Sequence, residues 1–260
     1  MNVQVSGGGR LRLPYDLESA ETMRVEIWTD IACPWCYVGK ARFDKALEAF
    51  PHRDQVEVVH RSFELDPGRA KGDVQPVIDM LTKKYGMSET QALAGEENLG
   101  AQAAAEGLAY RTRDRDHGNT FDMHRLLHFA KEQGRQDELI EILYRANFAE
   151  ERSVFSEGDE RLVELAVAAG LDADAARTVL ADPTAYADDV RADEREAAEL
   201  GANGVPFFVL DRAYGVSGAQ PAEVFAQALT RAWGERSPLQ LIDEGGAQAC
   251  GPDGCAVPQS

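Results

Sequence analysis

Apolar and polar residues alternate along residues 24–30, which is the period of a half-buried β-strand. Apolar residues then recur at helical spacing over residues 38–50, and Pro34 suits the first turn of that helix because its missing N–H would have no partner there. Residues 55–65 alternate again and predict a second strand. Strand, helix and strand in this order form a βαβ unit, so the two strands should be parallel with a right-handed crossover.

The pattern changes between residues 74 and 201, where helical periods dominate and glycines separate the segments. Ser88 and Gln91 fit a capping box at the start of one helix. Asp182 followed by Pro183 fits an N-cap with proline at the first helical position. We interpret this stretch as several packed helices that form a subdomain.

Strand signals return at residues 206–210 and 213–216, and a last helix is predicted over residues 221–233. The predicted order is therefore β-α-β, a helical block, then β-β-α. This order predicts an α/β chain with a thioredoxin-like fold and a large all-helical insertion between its two halves. The predicted parts are a disordered extension at 1–22, a thioredoxin-like domain at 23–66 and 202–234, a helical insertion at 67–201 and a flexible tail at 235–260.

Composition narrows the possible partners. The chain has 260 residues, 44% of them hydrophobic, and a formal net charge of −18. That charge argues against nucleic acid or an anionic membrane as a partner, because phosphate binding needs basic patches. No stretch approaches the ~18 apolar residues that a membrane span needs. Residues 1–22 contain no apolar signal-peptide core, so we expect the protein in the cytoplasm.

The four cysteines lie in two close pairs, Cys33 with Cys36 and Cys250 with Cys255. A secreted disulfide framework would scatter its cysteines to join distant segments. Two short-range pairs instead indicate redox chemistry or metal binding.

Disulfide exchange needs one thiolate that attacks and a second thiol close enough to release the mixed disulfide. Cys33 lies where the predicted strand meets the predicted helix, and unpaired N–H groups and the helix dipole favour an anion there. Cys36 follows one helical turn later. A structural zinc half-site is the alternative for an isolated C-x-x-C, but the position between strand and helix favours the redox interpretation. Asp30 would oppose thiolate formation if its charge were close.

Four segments resemble the DsbA-like oxidoreductases, and most closely their FrnE-like branch: residues 30–40 (DIACPWCYVGK), 119–126 (NTFDMHRL), 204–209 (GVPFFV) and 215–220 (GVSGAQ). The resemblance spans residues 23–233. It implies a thioredoxin fold with a helical insertion, Cys33 as nucleophile and Cys36 as resolving thiol.

The resemblance also implies a cis bond between Val205 and Pro206 that faces the cysteine pair. Such a bond would leave the backbone of Val205 free to pair with an extended substrate peptide. Trp35 is a further candidate for substrate binding. It stands where the periplasmic DsbA enzymes carry histidine, so the resemblance does not imply their strongly oxidising potential for this chain.

Cys250 and Cys255 are separated by four residues, two of them glycine and one proline. Three hypotheses remain open for this pair. It is an auxiliary redox pair that exchanges with Cys33 and Cys36, or a passive pair in a loose tail, or half of a four-thiolate zinc site.

His124 and His128 stand at i and i+4 on a predicted helix, as metal-binding histidines do, but no glutamate follows His124 to act as a general base. We therefore interpret both as structural and predict no metal site.

The predicted function is a protein disulfide oxidoreductase or isomerase that needs no cofactor beyond a redox partner. Its partners would be protein or small-molecule thiols and disulfides, and unfolded polypeptides. The alternatives are a glutathione-dependent isomerase or transferase of the kappa class and a thiol-independent chaperone of the holdase type. The kappa-class relatives typically use serine, so the presence of both Cys33 and Cys36 argues against the first alternative.

Overall fold

A computed structural model describes residues 22–236, 250–251 and 254–255. Strand β1 (Met23–Thr29) is followed by helix α1 (Pro34–Glu48), a 3₁₀ turn (Arg53–Gln55) and strand β2 (Val56–Ser62). Strands β1 and β2 are parallel, with Met23 opposite Val56. The predicted βαβ unit is therefore confirmed, and its second strand is shorter at both ends than predicted.

The insertion after β2 is mainly helical and contains one short strand pair. Its elements are β3 (Gln75–Pro76), α2 (Val77–Tyr85), α3 (Glu89–Ala105), β4 (Asp116–His117), α4 (Phe121–Glu132), α5 (Gln136–Phe148), α6 (Asp159–Ala168), α7 (Ala173–Ala181) and α8 (Ala187–Glu199). The antiparallel pair β3–β4 was not predicted, because two residues are too few to show a period.

One predicted helix start within the insertion is confirmed and one is wrong. Ser88 caps α3 and forms the full capping box with Gln91. Asp182 instead follows the end of α7, and its carboxylate accepts a hydrogen bond from the N–H of Thr184. Helix α8 begins only at Ala187, so Asp182 and Pro183 form a turn between helices.

The chain then returns to the sheet. Strand β5 (Phe207–Leu210) runs antiparallel to β1, and β6 (Tyr214–Ser217) runs antiparallel to β5, which gives the strand order β2-β1-β5-β6. Helix α9 (Ala222–Gly234) follows. This mixed sheet with its helical insertion confirms the predicted fold class. Further on, β7 (Cys250–Gly251) and β8 (Gly254–Cys255) form a separate two-stranded ladder.

The two larger of three apolar clusters hold most of the described core together. In the first, α1 and α9 cover the sheet, and the rings of Phe43, Phe208 and Phe225 lie in contact with centroids 4.5–5.7 Å apart. The second cluster joins the insertion helices to the start of α1 and includes both Cys33 and Cys36. The cysteine pair therefore lies where the insertion meets the thioredoxin-like core. Among the described residues, no helix is long and apolar enough to span a bilayer.

Asp193 on α8 connects the insertion to the sheet. Its backbone carbonyl accepts a hydrogen bond from the indole N–H of Trp28 at 2.8 Å. Its buried carboxylate accepts hydrogen bonds from the N–H of Ser62 and the guanidinium of Arg61, both at 2.9 Å, and lies 3.1 Å from Nε2 of His128. One side chain thus links α8, β2 and α4.

We expect Asp193→Ala to lower the free energy of unfolding by about 1–3 kcal/mol, because it leaves the buried N–H of Ser62 without its acceptor. Arg61 keeps its ion pair with Glu26. Urea unfolding followed by circular dichroism measures this loss. Glu199→Ala, at the exposed end of the same helix, is the control and should change stability by less than about 0.5 kcal/mol. Equal stability of the two variants would contradict the connecting role of Asp193.

Candidate active site at the start of helix α1

Cys33 is the N-cap residue of α1, with extended backbone angles, and Pro34 is the first helical residue. The first turn contains no acidic residue, so no carboxylate there offsets the partial positive charge of the helix end. The N–H of Cys36 donates to the carbonyl of Cys33 at 3.0 Å, which closes the turn between the two thiols. Both cysteines carry free thiols.

The two sulfurs have different surroundings although they are three residues apart. Cys33 is 5% exposed and lines a cavity at the surface, whereas Cys36 is 1% exposed and does not line that cavity. Burial raises the pKa of the Cys36 thiol well above its usual value, and the neighbouring Cys33 raises it further. A substrate in the cavity would therefore meet Cys33 first.

Asp30 fixes the loop that precedes Cys33. One carboxylate oxygen accepts from the N–H of Leu65 at 2.8 Å, and the other lies 3.3 Å from both the N–H of Ala32 and Nε2 of His124. Burial opposes ionisation of this carboxyl, but the hydrogen bond and charge of His124 and the Leu65 N–H hold the pKa of Asp30 below its usual value. The carboxylate is thus ionised, and its charge is offset locally.

The turn before β5 faces the cysteines. The Val205–Pro206 peptide bond is cis, as the sequence resemblance implied. The Cys33 thiol donates to the carbonyl of Val205 over 3.6 Å, so this backbone group lies beside the sulfur. The ring of Pro206 packs on Gly39 of α1, where a Cβ atom would come within 2.9 Å of the proline Cγ.

A cavity of about 370 Å³ opens beside Cys33. Most of its wall is apolar, and helices α2 and α3 with the turn between them contribute Met80, Leu81, Met87 and Leu99. Trp35, 39% exposed, also lines it. Methionine side chains adapt to ligands of different shape. The cavity can therefore accept an apolar group whose reacting sulfur lies at Cys33.

The remaining part of the cavity wall is polar and held by a buried ion pair. Arg115 lies 2.6 Å from Glu96 of α3, and the hydroxyl of Tyr110 donates to the same carboxylate at 3.0 Å. The Arg115 guanidinium also lies 5.0 Å from the ring centre of Phe148. This arrangement ties the segment before β4 to α3 and fixes one side of the cavity.

The structure brings together five of the seven predicted site residues. Cys33, Cys36, Trp35, Val205 and Pro206 lie around the start of α1. For Cys250 and Cys255 the described part is the backbone ladder, in which the two residues stand directly opposite each other. Their side chains lie outside what the structure describes.

Sequence reasoning missed several residues beside the thiols. Thr29 ends β1, and its hydroxyl is hydrogen-bonded to that of Tyr144 on α5. Asn147, also on α5, donates to the carbonyl of Ile31 at 2.9 Å. Thr29 stands four residues before Cys33, so its proximity in the sequence could have identified it. Tyr144 and Asn147 lie more than a hundred residues from Cys33, and no sequence pattern points to them.

The two histidines of α4 each contact a carboxylate. His124 pairs with Asp30 as described above, and His128 with Asp193 and Ser62. These contacts support the structural interpretation of both residues. Among the described residues, no cluster of histidine, cysteine and acidic groups could hold a metal ion.

A cysteine pair at the start of the first helix, a cis proline facing it and a sheet of this order define a thioredoxin-like dithiol site. Comparison with known proteins agrees with this class. The chain belongs to the DSBA-like thioredoxin domain family, whose model matches residues 24–230. It is therefore a DsbA-like member of the thiol–disulfide oxidoreductases.

The chain is similar to a probable DsbA oxidoreductase from Streptomyces coelicolor, with 80% identity, a TM-score of 0.82, and coverage of 91% of this chain and 100% of that one. It is 29% identical over 211 residues to the uncharacterized protein YwbO of Bacillus subtilis, covering 80% of this chain and 96% of that protein. It shares the fold of the cytosolic disulfide reductase DsbM from Pseudomonas aeruginosa, with 19% identity, a TM-score of 0.54, and coverage of 80% and 98%.

We expect Gly39→Ala to destabilise the protein by about 1–3 kcal/mol, because the added methyl group would overlap the Pro206 ring and force the turn away from Cys33. Urea unfolding measures the change. Gly95→Ala on α3 is the matched control, since its Cβ would meet only the end of Met87 at 3.9 Å. That variant should be neutral or more stable by up to about 1 kcal/mol. Equal behaviour of the two variants would show that the contact between Gly39 and Pro206 does not constrain the turn.

Proposed function

We propose that this chain catalyses thiol–disulfide exchange on protein disulfides, with Cys33 as the attacking sulfur and Cys36 as the resolving thiol. The observation that carries the proposal is the contrast between the two cysteines. Cys33 caps the helix and lines the cavity, whereas Cys36 is buried behind it with a raised pKa. Attack by Cys33 and later resolution by Cys36 follow from that arrangement.

In the reducing direction, Cys33 attacks one sulfur of a substrate disulfide and releases the other sulfur. Cys36 then attacks Cys33 Sγ, so that the Cys33–Cys36 disulfide forms and the second substrate sulfur leaves. Two electrons pass from the enzyme dithiol to the substrate. The dithiol loses two protons, and the two released substrate thiolates take up two protons. The same steps in reverse oxidise a substrate dithiol. If another substrate thiolate attacks the mixed disulfide before Cys36 does, a different substrate disulfide forms and Cys33 leaves as the thiolate, so the substrate is isomerised.

The proposed substrates are unfolded polypeptides and small thiols or disulfides. The apolar wall of the cavity and the exposed Trp35 suit an apolar residue next to a substrate cysteine. The carbonyl of Val205, beside the Cys33 sulfur, suits hydrogen bonding to an extended peptide. The reaction needs only a redox partner, and the cytoplasmic location remains a prediction.

The cysteine roles make opposite predictions for two variants. Cys33→Ser should abolish insulin reduction, because no sulfur remains at the cavity. Cys36→Ser should keep the first attack and accumulate mixed disulfides on Cys33, which intact-protein mass spectrometry detects.

The same variants test the alternatives. A holdase should prevent aggregation equally well without either thiol, and a glutathione-dependent transferase should retain activity in Cys36→Ser. If the mixed disulfide forms on Cys36 in Cys33→Ser, the proposed roles are reversed.

We further propose that Cys250 and Cys255 form an auxiliary redox pair. Supporting this, the two residues face each other in the β7–β8 ladder. Facing residues in such a ladder have Cα atoms about 4.5–5.5 Å apart, within the range of about 4.4–6.8 Å that a disulfide needs. The chain between Trp233 and Cys250 can extend by up to about 3.3–3.6 Å per residue, so the pair can reach the start of α1.

Truncation after Ser237 should slow turnover with small-molecule reductants, and Cys250→Ser with Cys255→Ser in the full-length chain should slow it equally. Equal turnover rates in the truncated and the double-serine variants would assign the effect to the two thiols and not to the rest of the tail. Unchanged rates in both would leave the pair passive. Loss of stoichiometric zinc on truncation would favour the metal hypothesis instead.

A further inference from the structure

His117 is a buried histidine on the wall of the cavity beside Cys33. It ends strand β4 and stands opposite Gln75 of β3 in the short ladder, so its backbone is held within the insertion. It is only 6% exposed, and it lines the same cavity as Cys33 and Asn147. The proposed exchange between the cysteines gives this residue no role.

The imidazole ring of His117 has no hydrogen-bond partner on either nitrogen within the described part of the chain. Nε2 is fully enclosed and lies 3.6 Å from a carboxylate oxygen of Asp66, an ion-pair distance that is too long for a hydrogen bond. Nδ1 is not among the enclosed unpaired atoms, so it is the nitrogen that a molecule in the cavity reaches. Buried polar groups in proteins are normally paired, so this ring is suited to a partner that enters the cavity.

The charges around the ring favour its neutral form. Burial and the nearby charge of Arg69 lower the pKa of His117, whereas Asp30 and Asp66 oppose this shift without cancelling it. The imidazole is therefore neutral at pH 7. Because the Asp66 carboxylate lies beside Nε2, the single proton of the neutral ring is favoured on Nε2, and Nδ1 keeps a free lone pair.

The other charged groups that line the cavity are less suited to accept a proton. Glu96 is paired with Arg115 at 2.6 Å, and the Lys84 ammonium donates to a backbone carbonyl at 3.1 Å. Asp116 precedes His117 in β4, and a carboxylate is in general a weaker base than a neutral imidazole. His117 is therefore the base of this cavity wall at neutral pH.

We propose that His117 is a catalytic general base that takes the proton from a substrate thiol in the cavity and returns it to the departing sulfur in the reverse reaction. The inference rests on the proposed function, because it requires Cys33 to be the cysteine that the substrate sulfur joins. It also names the class of substrate that gains most: thiols that are protonated at neutral pH, as ordinary cysteine side chains and alkyl thiols are.

The step begins with the enzyme in its Cys33–Cys36 disulfide form. The substrate thiol gives its proton to Nδ1 of His117, and the resulting thiolate attacks Cys33 Sγ. The Cys33–Cys36 bond breaks and its electron pair goes to Cys36 Sγ, so the enzyme disulfide is the oxidant. In the opposite direction Cys36 attacks Cys33, and the substrate sulfur leaves and takes the proton back from the imidazolium.

The test compares two thiols on the oxidised full-length protein. 2-Mercaptoethanol is almost entirely protonated at pH 7 and needs a base, whereas the aromatic thiol 4-mercaptobenzoate is mostly ionised and does not. Acid quenching and peptide mapping measure how fast Cys33 enters a mixed disulfide. We expect His117→Gln to slow the reaction of 2-mercaptoethanol on the order of tenfold at pH 7 and to change that of 4-mercaptobenzoate less than about twofold.

The pH dependence separates a general base from a group that only shapes the cavity. In His117→Gln the rate with 2-mercaptoethanol should follow the thiolate fraction and rise about tenfold from pH 7 to pH 8. In the wild-type protein the neutral imidazole already predominates over this range because the pKa of His117 is lowered, so the rate should rise much less. The two rates should therefore converge as the pH increases.

Two further variants complete the experiment. His128 is also buried beside a carboxylate but does not line the cavity, so His128→Gln should match the wild-type protein with both thiols. In His117→Ala, imidazole added to the buffer should restore the rate with 2-mercaptoethanol and leave that with 4-mercaptobenzoate unchanged.

Three results would overturn the inference: equal slowing of both thiols in folded His117→Gln, an unchanged rate with 2-mercaptoethanol, or a wild-type pH dependence in that variant. Circular dichroism establishes that the variant is folded. If neither thiol forms a mixed disulfide on Cys33 of the wild-type protein, the proposed function fails instead.

Discussion

Cys36 is shielded from water because the first turn of α1 places it against the apolar cluster formed with the insertion helices. Burial is the largest cause of the raised pKa of this thiol, and it gives Cys36 surroundings different from those of Cys33, three residues away. Cys33, at the cap of the same helix, keeps access to the cavity. The proposed order of attack therefore rests on the burial of Cys36 and the access of Cys33 to the cavity.

A second constraint is the buried charge of Asp30. From the sequence, a carboxylate three residues before Cys33 was expected to oppose a thiolate if its charge were close. In the structure that carboxylate accepts two backbone hydrogen bonds and pairs with His124. These contacts offset its charge and hold the loop before Cys33 in place. The loop geometry that sets Cys33 at the helix start therefore depends on α4 of the insertion as well as on β1.

The parts of the fold that the sequence predicted correctly are those with a local signal. Alternation and helical spacing placed β1, α1, β5 and α9, and family motifs placed the cis bond before Pro206. Asp182 shows the limit of local signals, because a side chain that can cap a helix can equally close a turn. The contact of Thr29 with Tyr144 spans 115 positions and that of Trp28 with Asp193 spans 165, and no period or motif encodes such distances.

These long-range contacts change how the insertion is understood. The sequence predicts the insertion only as a subdomain of packed helices. In the structure, these helices supply groups that touch the loop and strand around the thiols. His124 contacts Asp30, Asn147 holds the carbonyl of Ile31, and Tyr144 contacts Thr29. Each contact joins an insertion helix to the five residues before Cys33. The thioredoxin-like core therefore provides the cysteines, and the insertion helps set the electrostatic surroundings in which they react.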